Sequence, residues 1–176
     1  MNNNRIEFQI VRMKRRSISL HLLKDGTLEV RAPHRVSERV LSEFVEKKQD
    51  WIRKAKERQA KAILLPTFTD KEIQDMKEST KNRIALFMQD FKGKHPQKIN
   101  VRKQKSVWGT CNRKGTISIN AFCCLLPETI FQYIMVHELC HLVELNHSAR
   151  FWTLVSFYLP DWKERRAELK KFRIGQ

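Results

Sequence analysis

Residues 137–147 read HELCHLVELNH, and the spacing of their histidines decides how the rest of the chain has to fold around them. His137 and His141 stand four apart, so on a helix both rings leave one face and can converge on a single ion. Glu138 follows the first histidine, about 100° further round the helix. There its carboxylate reaches a water beside the ion rather than the ion itself. Two neutral imidazoles, a third protein ligand, a water and a carboxylate base are the parts of a zinc hydrolase site.

His147 lies six residues after His141 and extends the motif to the longer zinc spacing, His-Glu-x-x-His with a further histidine six on. On a continuous helix it would face some 240° away from His141, so the helix has to end between them. Glu144 occupies the position where a glycine would permit that turn, which leaves Asn146, tolerant of left-handed backbone, as the expected turning point. The third ligand then sits in a loop just before Ser148, a capping residue for the next helix. Two other third ligands fit the pattern. Glu164 lies 23 residues beyond His141, and Glu144 shares the ligand face, where it could equally accept a hydrogen bond that orients an imidazole. Cys140 points off that face and reads as a buried structural thiol.

Outward from the motif, Pro127 is placed to open the metal helix, which should run to about Val143. Ser148 caps a following helix and Asp161 a last one ending near Phe172. Phe151, Trp152 and Phe157 read as packing that fixes the ligand loop, and Trp51 and Trp162 as members of apolar stripes. Upstream, Ile99 with Val101 and Thr116–Asn120 alternate as short strands. Thr69 and Glu72 form a capping box for a helix whose apolar face is Ile73, Met76, Ile84, Phe87, Met88 and Phe91. Before the break at Leu64-Leu65-Pro66, Ser37 caps a long helix through Lys61, with Val40, Leu41, Phe44, Val45, Trp51 and Ile52 as its stripe. The opening alternates at Ile6, Phe8 and Ile10, and residues 17–31 form a hairpin turning at Asp25-Gly26. These elements predict an α+β fold in a single domain, 1–176: a strand hairpin plus long helix over 1–66 and a zinc-site half over 67–176.

Composition narrows the partners. The 176 residues carry 35 Lys and Arg against 19 Asp and Glu, a net charge of +16, and the 41% hydrophobic content suffices for a core. No apolar window is long enough to span a bilayer, so no membrane partner is expected. The start, MNNNRIEFQI, lacks the pattern of a secretory signal, and Cys111, Cys123, Cys124 and Cys140 contain no Cys-x-x-Cys pair. Reduced thiols and a cytoplasmic location follow as the expectation. Residues 91–127 hold eight basic residues, Lys92, Lys94, Lys98, Arg102, Lys103, Lys105, Arg113 and Lys114, and no acid. That stretch, chiefly 92–114, predicts weak, salt-sensitive association with nucleic acid or nucleotides.

With VWGTCNRKGTISIN at 107–120 and PETIFQYIMVHELCHLVELNHSARFW at 127–152, the sequence resembles the YgjP-like family of zinc metallopeptidases, which is related to the SprT-like proteases. RMKRRSISLHLLKDGTLEVRAP and FVEKKQDWI resemble the amino-terminal half of that family. Thr110 stands where the family more often has serine. The resemblance implies a zincin-like fold, one zinc ion on His137, His141 and His147, Glu138 as catalytic base and a protein or peptide substrate. In such folds a strand above the metal helix pairs with an extended peptide. Thr116, Ile117, Ser118, Ile119 and Asn120 are the expected strand, with Trp108 lining the cleft, and Tyr133, Tyr158 and Arg150 are the available oxyanion donors.

Two other functions use the same residues. A metal-dependent nucleoside triphosphate pyrophosphohydrolase would exploit the acid-free stretch, but it lacks a glycine-rich phosphate loop and a carboxylate cluster for magnesium. A nucleic-acid-binding module with structural zinc would need a fourth protein ligand, Cys140 or Cys111.

Overall fold

The computed structural model describes residues 6–23 and 25–174, and the chain forms two compact units, Met1–Ala62 and Ile63–Gln176. In the first, β1 (Gln9–Arg12), β2 (Ser19–Leu22) and β3 (Leu28–Ala32) make a sheet in the order β1-β3-β2. β2 and β3 are the expected hairpin, antiparallel with Leu20 opposite Val30. Gly26 turns the chain at a φ of +87°, which a side chain would strain, while the Asp25 carboxylate accepts the Thr27 N–H. Leu28, Val30 and Ala32 alternate into a core completed by Leu41, Val45 and Ile52.

Ser37 caps α1 (Glu38–Glu46), as its position before the stripe predicts. The expected long helix is two, because the chain breaks at Lys47-Lys48 before α2 (Gln49–Ala60). Neither glycine nor proline marks that break. Val40 and Trp51, read as stripe residues, are 46% and 40% exposed.

The second unit begins at β4 (Ile63–Leu64), and Thr69 and Glu72 form the capping box that opens α3 (Asp70–Asp90). A second sheet follows, built from β5 (Lys98–Arg102), β6 (Gly109–Cys111) and β7 (Thr116–Asn120) in the order β5-β7-β6. β7 is parallel to β5 and antiparallel to β6. Gly115, at a φ of +72°, makes the turn between β6 and β7. Ile117 and Ile119 point from β7 into the core and are fully buried.

A short 3-10 turn, Ala121–Leu125, leads to α4 (Glu128–Cys140), α5 (Ala149–Tyr158) and α6 (Trp162–Leu169), and β8 (Phe172–Arg173) returns to pair parallel with β4. α3 clamps the entry to α4 with polar bonds. Thr80 donates its hydroxyl to the Ala121 carbonyl at 2.7 Å and accepts from the Cys124 N–H. Arg83 donates to the Cys123 and Leu126 carbonyls, pairs with Glu128 and stacks 4.2 Å over Phe131. α4 itself is apolar nearly all round, with Ile130, Phe131, Ile134, Met135 and Leu139 buried. Beyond its exposed first turn, the polar side chains of its last turns, His137 and Glu138, therefore sit largely inside protein, where they need a purpose. No helix among the described residues is long and apolar enough to cross a membrane. The architecture is α+β, with the sheet, the clamp and the buried helix all directed at residues 137–147.

Candidate metal centre

α4 ends at Cys140, three residues earlier than its apolar pattern suggests, and His141 is its C-cap. The chain leaves the helix through tight turns, with the Val143 and Glu144 N–H groups both bonded to the Cys140 carbonyl. No described residue other than glycine has a positive φ, so Asn146 does not supply the left-handed turn expected of it. The turn is held instead by the metal motif itself. His141 Nδ1 donates to the Glu144 carbonyl at 3.0 Å, which satisfies a carbonyl past the helix end and leaves Nε2 with its lone pair free. Glu144 thus orients an imidazole, but through its backbone.

The turn delivers His147 to the helix. His147 Nε2 lies 3.0 Å from His137 Nε2, and one ligand atom from each of His137, His141 and His147 falls within 4.8 Å of the others. Nitrogens about 2.0–2.1 Å from a tetrahedral ion stand roughly 3.3 Å apart, so this cluster is of the right size to close on one ion. Phe151, fully buried on α5, is the floor, with its ring centroid 4.9, 4.4 and 4.8 Å from those of His137, His141 and His147. Burial holds His137 down to about 3, with the neighbouring imidazoles adding to the effect, and lowers His147 in the same way. All this favours neutral imidazoles, the form that coordinates metal. His137 Nδ1 is buried without a protein partner, so the set is poorly satisfied as a plain core cluster. The donor set fits a metal ion.

Glu138 is 6% exposed, and burial pushes its carboxyl up to about 7. It lines a cleft of about 200 Å³ together with His137, Tyr133, Trp108 and Gly109. Trp108 is among the residues that line it. Tyr133 stands one helical turn before His137, ring centroids 5.8 Å apart, and burial raises its phenol to about 12. Of the other oxyanion candidates, Tyr158 packs on Phe91 at 5.1 Å and Arg150 is exposed on the first turn of α5. Among the described residues neither Glu164, Cys111 nor Cys140 joins the histidine group. Cys140 is buried, its thiol pushed up to about 12 by that burial.

The expected substrate strand needs correction. β7 is the central strand, bonded to β5 on one side and β6 on the other, so Thr116, Ile117, Ser118, Ile119 and Asn120 offer no free edge to a peptide. Asn120 is fully buried and donates to the Gln104 and Val107 carbonyls while its Oδ1 accepts from the Phe122 N–H. It staples the loop that carries Trp108. The edges belong to β5 and β6, and β6 is the one that lies against Glu138. Its ladder bonds run through Trp108–Asn120 and Asn112–Thr116, so by the two-residue alternation Thr110 faces β7. The backbone groups of Gly109 and Cys111 then turn outward.

The YgjP-like family, described as a metallopeptidase domain, matches the sequence over residues 16–80 and 68–172. The chain belongs to this family. It is accordingly a metallohydrolase of the peptidase class, with an α+β fold and a catalytic metal. Among solved structures the chain is similar to the metallopeptidase zymogen of Pyrococcus abyssi abylysin, at 25% identity over 58% of this chain and 99% of that one, with a TM-score of 0.42. It is also similar to the zymogen of Methanocaldococcus jannaschii jannalysin, at 17% identity over 53% and 92% of the two chains, with a TM-score of 0.37. No curated protein matches the sequence.

Two neighbours of the site, Gly109 and Arg166, went unread in the sequence, and a third, Trp152, was read only as packing that fixes the ligand loop. Gly109 lies directly against Glu138. Trp152 stacks on His147, with centroids 5.6 Å apart, and on Trp162 at 4.2 Å, so it frames the ligand loop as well as packing it. Arg166, from α6, reaches Trp152. Phe157, expected in the core, is 78% exposed.

Proposed function

We propose that this metallopeptidase is a zinc enzyme in which His137, His141 and His147 hold one ion and Glu138 is the general base for peptide-bond hydrolysis. The observation that carries the reading is the convergence of three imidazoles within 4.8 Å beside a buried glutamate that lines the same cleft as His137. Three neutral nitrogen donors with no carboxylate among them suit zinc better than magnesium or calcium. When bound, the ion supplies a Lewis acid that polarises the scissile carbonyl and makes water acidic near neutral pH. Glu138 takes the proton of the attacking water on its carboxylate and returns it to the leaving amine. Burial sets that carboxyl near neutrality, where it can exchange a proton in both directions. The Tyr133 hydroxyl, kept protonated by burial, is the oxyanion donor of this reading.

The substrate lies extended along β6, bonded through the outward backbone groups of Gly109 and Cys111, with Trp108 against its side chains. Main-chain recognition of this kind tolerates many sequences. The whole chain, 1–176, acts as one cytoplasmic domain, and basic residues 92–114 add a salt-sensitive attraction for polyanions without taking part in the reaction.

The test sets wild type and Glu138→Gln side by side, zinc-loaded, on an unfolded protein and on nucleoside triphosphates. The reading predicts cleavage of the protein alone by wild type, and loss of at least about a hundredfold in the variant with zinc still bound. Nucleotide hydrolysis that depends on Glu138 would contradict it.

A further inference from the structure

Arg166 is a cation that the proposed reaction leaves unused. It is exposed on α6, and its guanidinium carbon lies 4.9 Å from the centroid of the Trp152 ring. Trp152 in turn stacks on His147, with planes 24° apart, and its centroid lies 5.9 Å from that of His137. The two stacking distances keep the guanidinium within about three extended residues of the imidazoles.

The neighbouring arginines are occupied. Arg165 bonds Asp161, the Thr129 carbonyl and Gln132, and Arg83 bonds two carbonyls and Glu128. Arg166 has neither an ion pair nor a hydrogen bond among the described residues, and its guanidinium stacks on the Trp152 indole face. Stacking fixes the plane of a guanidinium while leaving its N–H donors to bind a planar anion in two-pronged fashion.

We infer that Arg166, held on Trp152 beside the histidines and outside the cleft lining, is a carboxylate-recognition residue for the substrate, so that the preferred substrates are peptides carrying a carboxylate within about three residues of the scissile bond. The inference rests on the peptidase reading and narrows its substrate class. A terminal carboxylate and an acidic side chain present the same chemistry, and the test separates them.

The experiment measures binding by calorimetry to the zinc-loaded Glu138→Gln full chain, which does not consume the ligand. One pair of peptides differs only in a terminal acid or amide, and a second pair has an amidated end and an internal Glu or Gln. The expected result is roughly tenfold tighter binding of the acid in at least one pair, and which pair identifies the source of the carboxylate. In Arg166→Gln that difference disappears, and Arg166→Lys, which keeps the charge without the planar fork, restores only part of it. Equal binding of acid and neutral partner in both pairs overturns the inference and leaves the peptidase reading intact. A preference that survives in Arg166→Gln overturns it too. Failure of every peptide to bind, with no cleavage by wild type, overturns both readings together.

Discussion

A methyl group placed on Gly109 would stand 2.7 Å from the Glu138 Oε1 atom. Strand β6 thus passes over the Glu138 carboxylate, the proposed base, with no room for a side chain, and this explains the glycine of the Trp-Gly-Thr-Cys stretch. The same residue turns its backbone groups to an open edge of the sheet. In the proposed mechanism one position therefore both shapes the base and offers a peptide its first hydrogen bonds.

Gly109→Ala should displace Glu138 while leaving the histidines untouched. Activity is expected to fall by about a hundredfold or more, because a shift of an ångström in a general base costs that much. Overpacking should cost about 1–3 kcal/mol of stability. Zinc content, steady-state rates and urea unfolding of one preparation check the three statements. Unchanged rates would separate Gly109 from the chemistry.

Removing the metal should stop cleavage and also lower the melting temperature. At zinc a thousandfold above its dissociation constant, binding contributes about 4 kcal/mol to the folded state. Chelation followed by readdition of zinc should reverse both effects. His147→Ala is expected to abolish this zinc-dependent shift while scarcely changing the melting temperature of the metal-free chain, since His147 is exposed and sits in a loop. His141→Ala should lower both, because His141 is buried and bonds the Glu144 carbonyl.

Asn120→Ala distinguishes a structural staple from a substrate contact. The variant leaves the Gln104 and Val107 carbonyls and the Phe122 N–H without their side-chain partner, and should cost about 2–4 kcal/mol. Denaturant unfolding measures that loss. A variant of full stability with a raised KM would return Asn120 to the substrate.

Cys111→Pro probes the edge of β6. Proline is tolerated where an edge strand turns its N–H outward, and it deletes one donor from the ladder offered to a peptide. The expected outcome is a fall of about tenfold in kcat/KM with little change in melting temperature. Proline at Thr110, which faces β7, should instead destabilise the sheet.

Much of the site was legible because its spacing is local. The separation of four between His137 and His141, the cap at Ser148 and the Thr69–Glu72 box each need only a helix to be read correctly. What escaped depends on distant pairing. β6 is three residues long with no apolar alternation, and it becomes an edge strand only because β5 takes the other side of β7. Ile117 and Ile119 alternate as any half-buried strand would, so their pattern could not tell a central strand from an edge. Arg166 reads as one of many basic residues until α6 packs on α4 and sets it over Trp152. The turn after α4 was misread at Asn146 because the side chain of His141, a metal ligand in sequence terms, also serves as the cap.

The coordination sphere of the zinc-loaded chain, measured by X-ray absorption, bears most directly on the central claim. The account predicts three imidazole nitrogens and one solvent oxygen at about 2.0–2.1 Å. A sulfur near about 2.3 Å, or a fourth protein ligand in place of the oxygen, would make the site structural and contradict it.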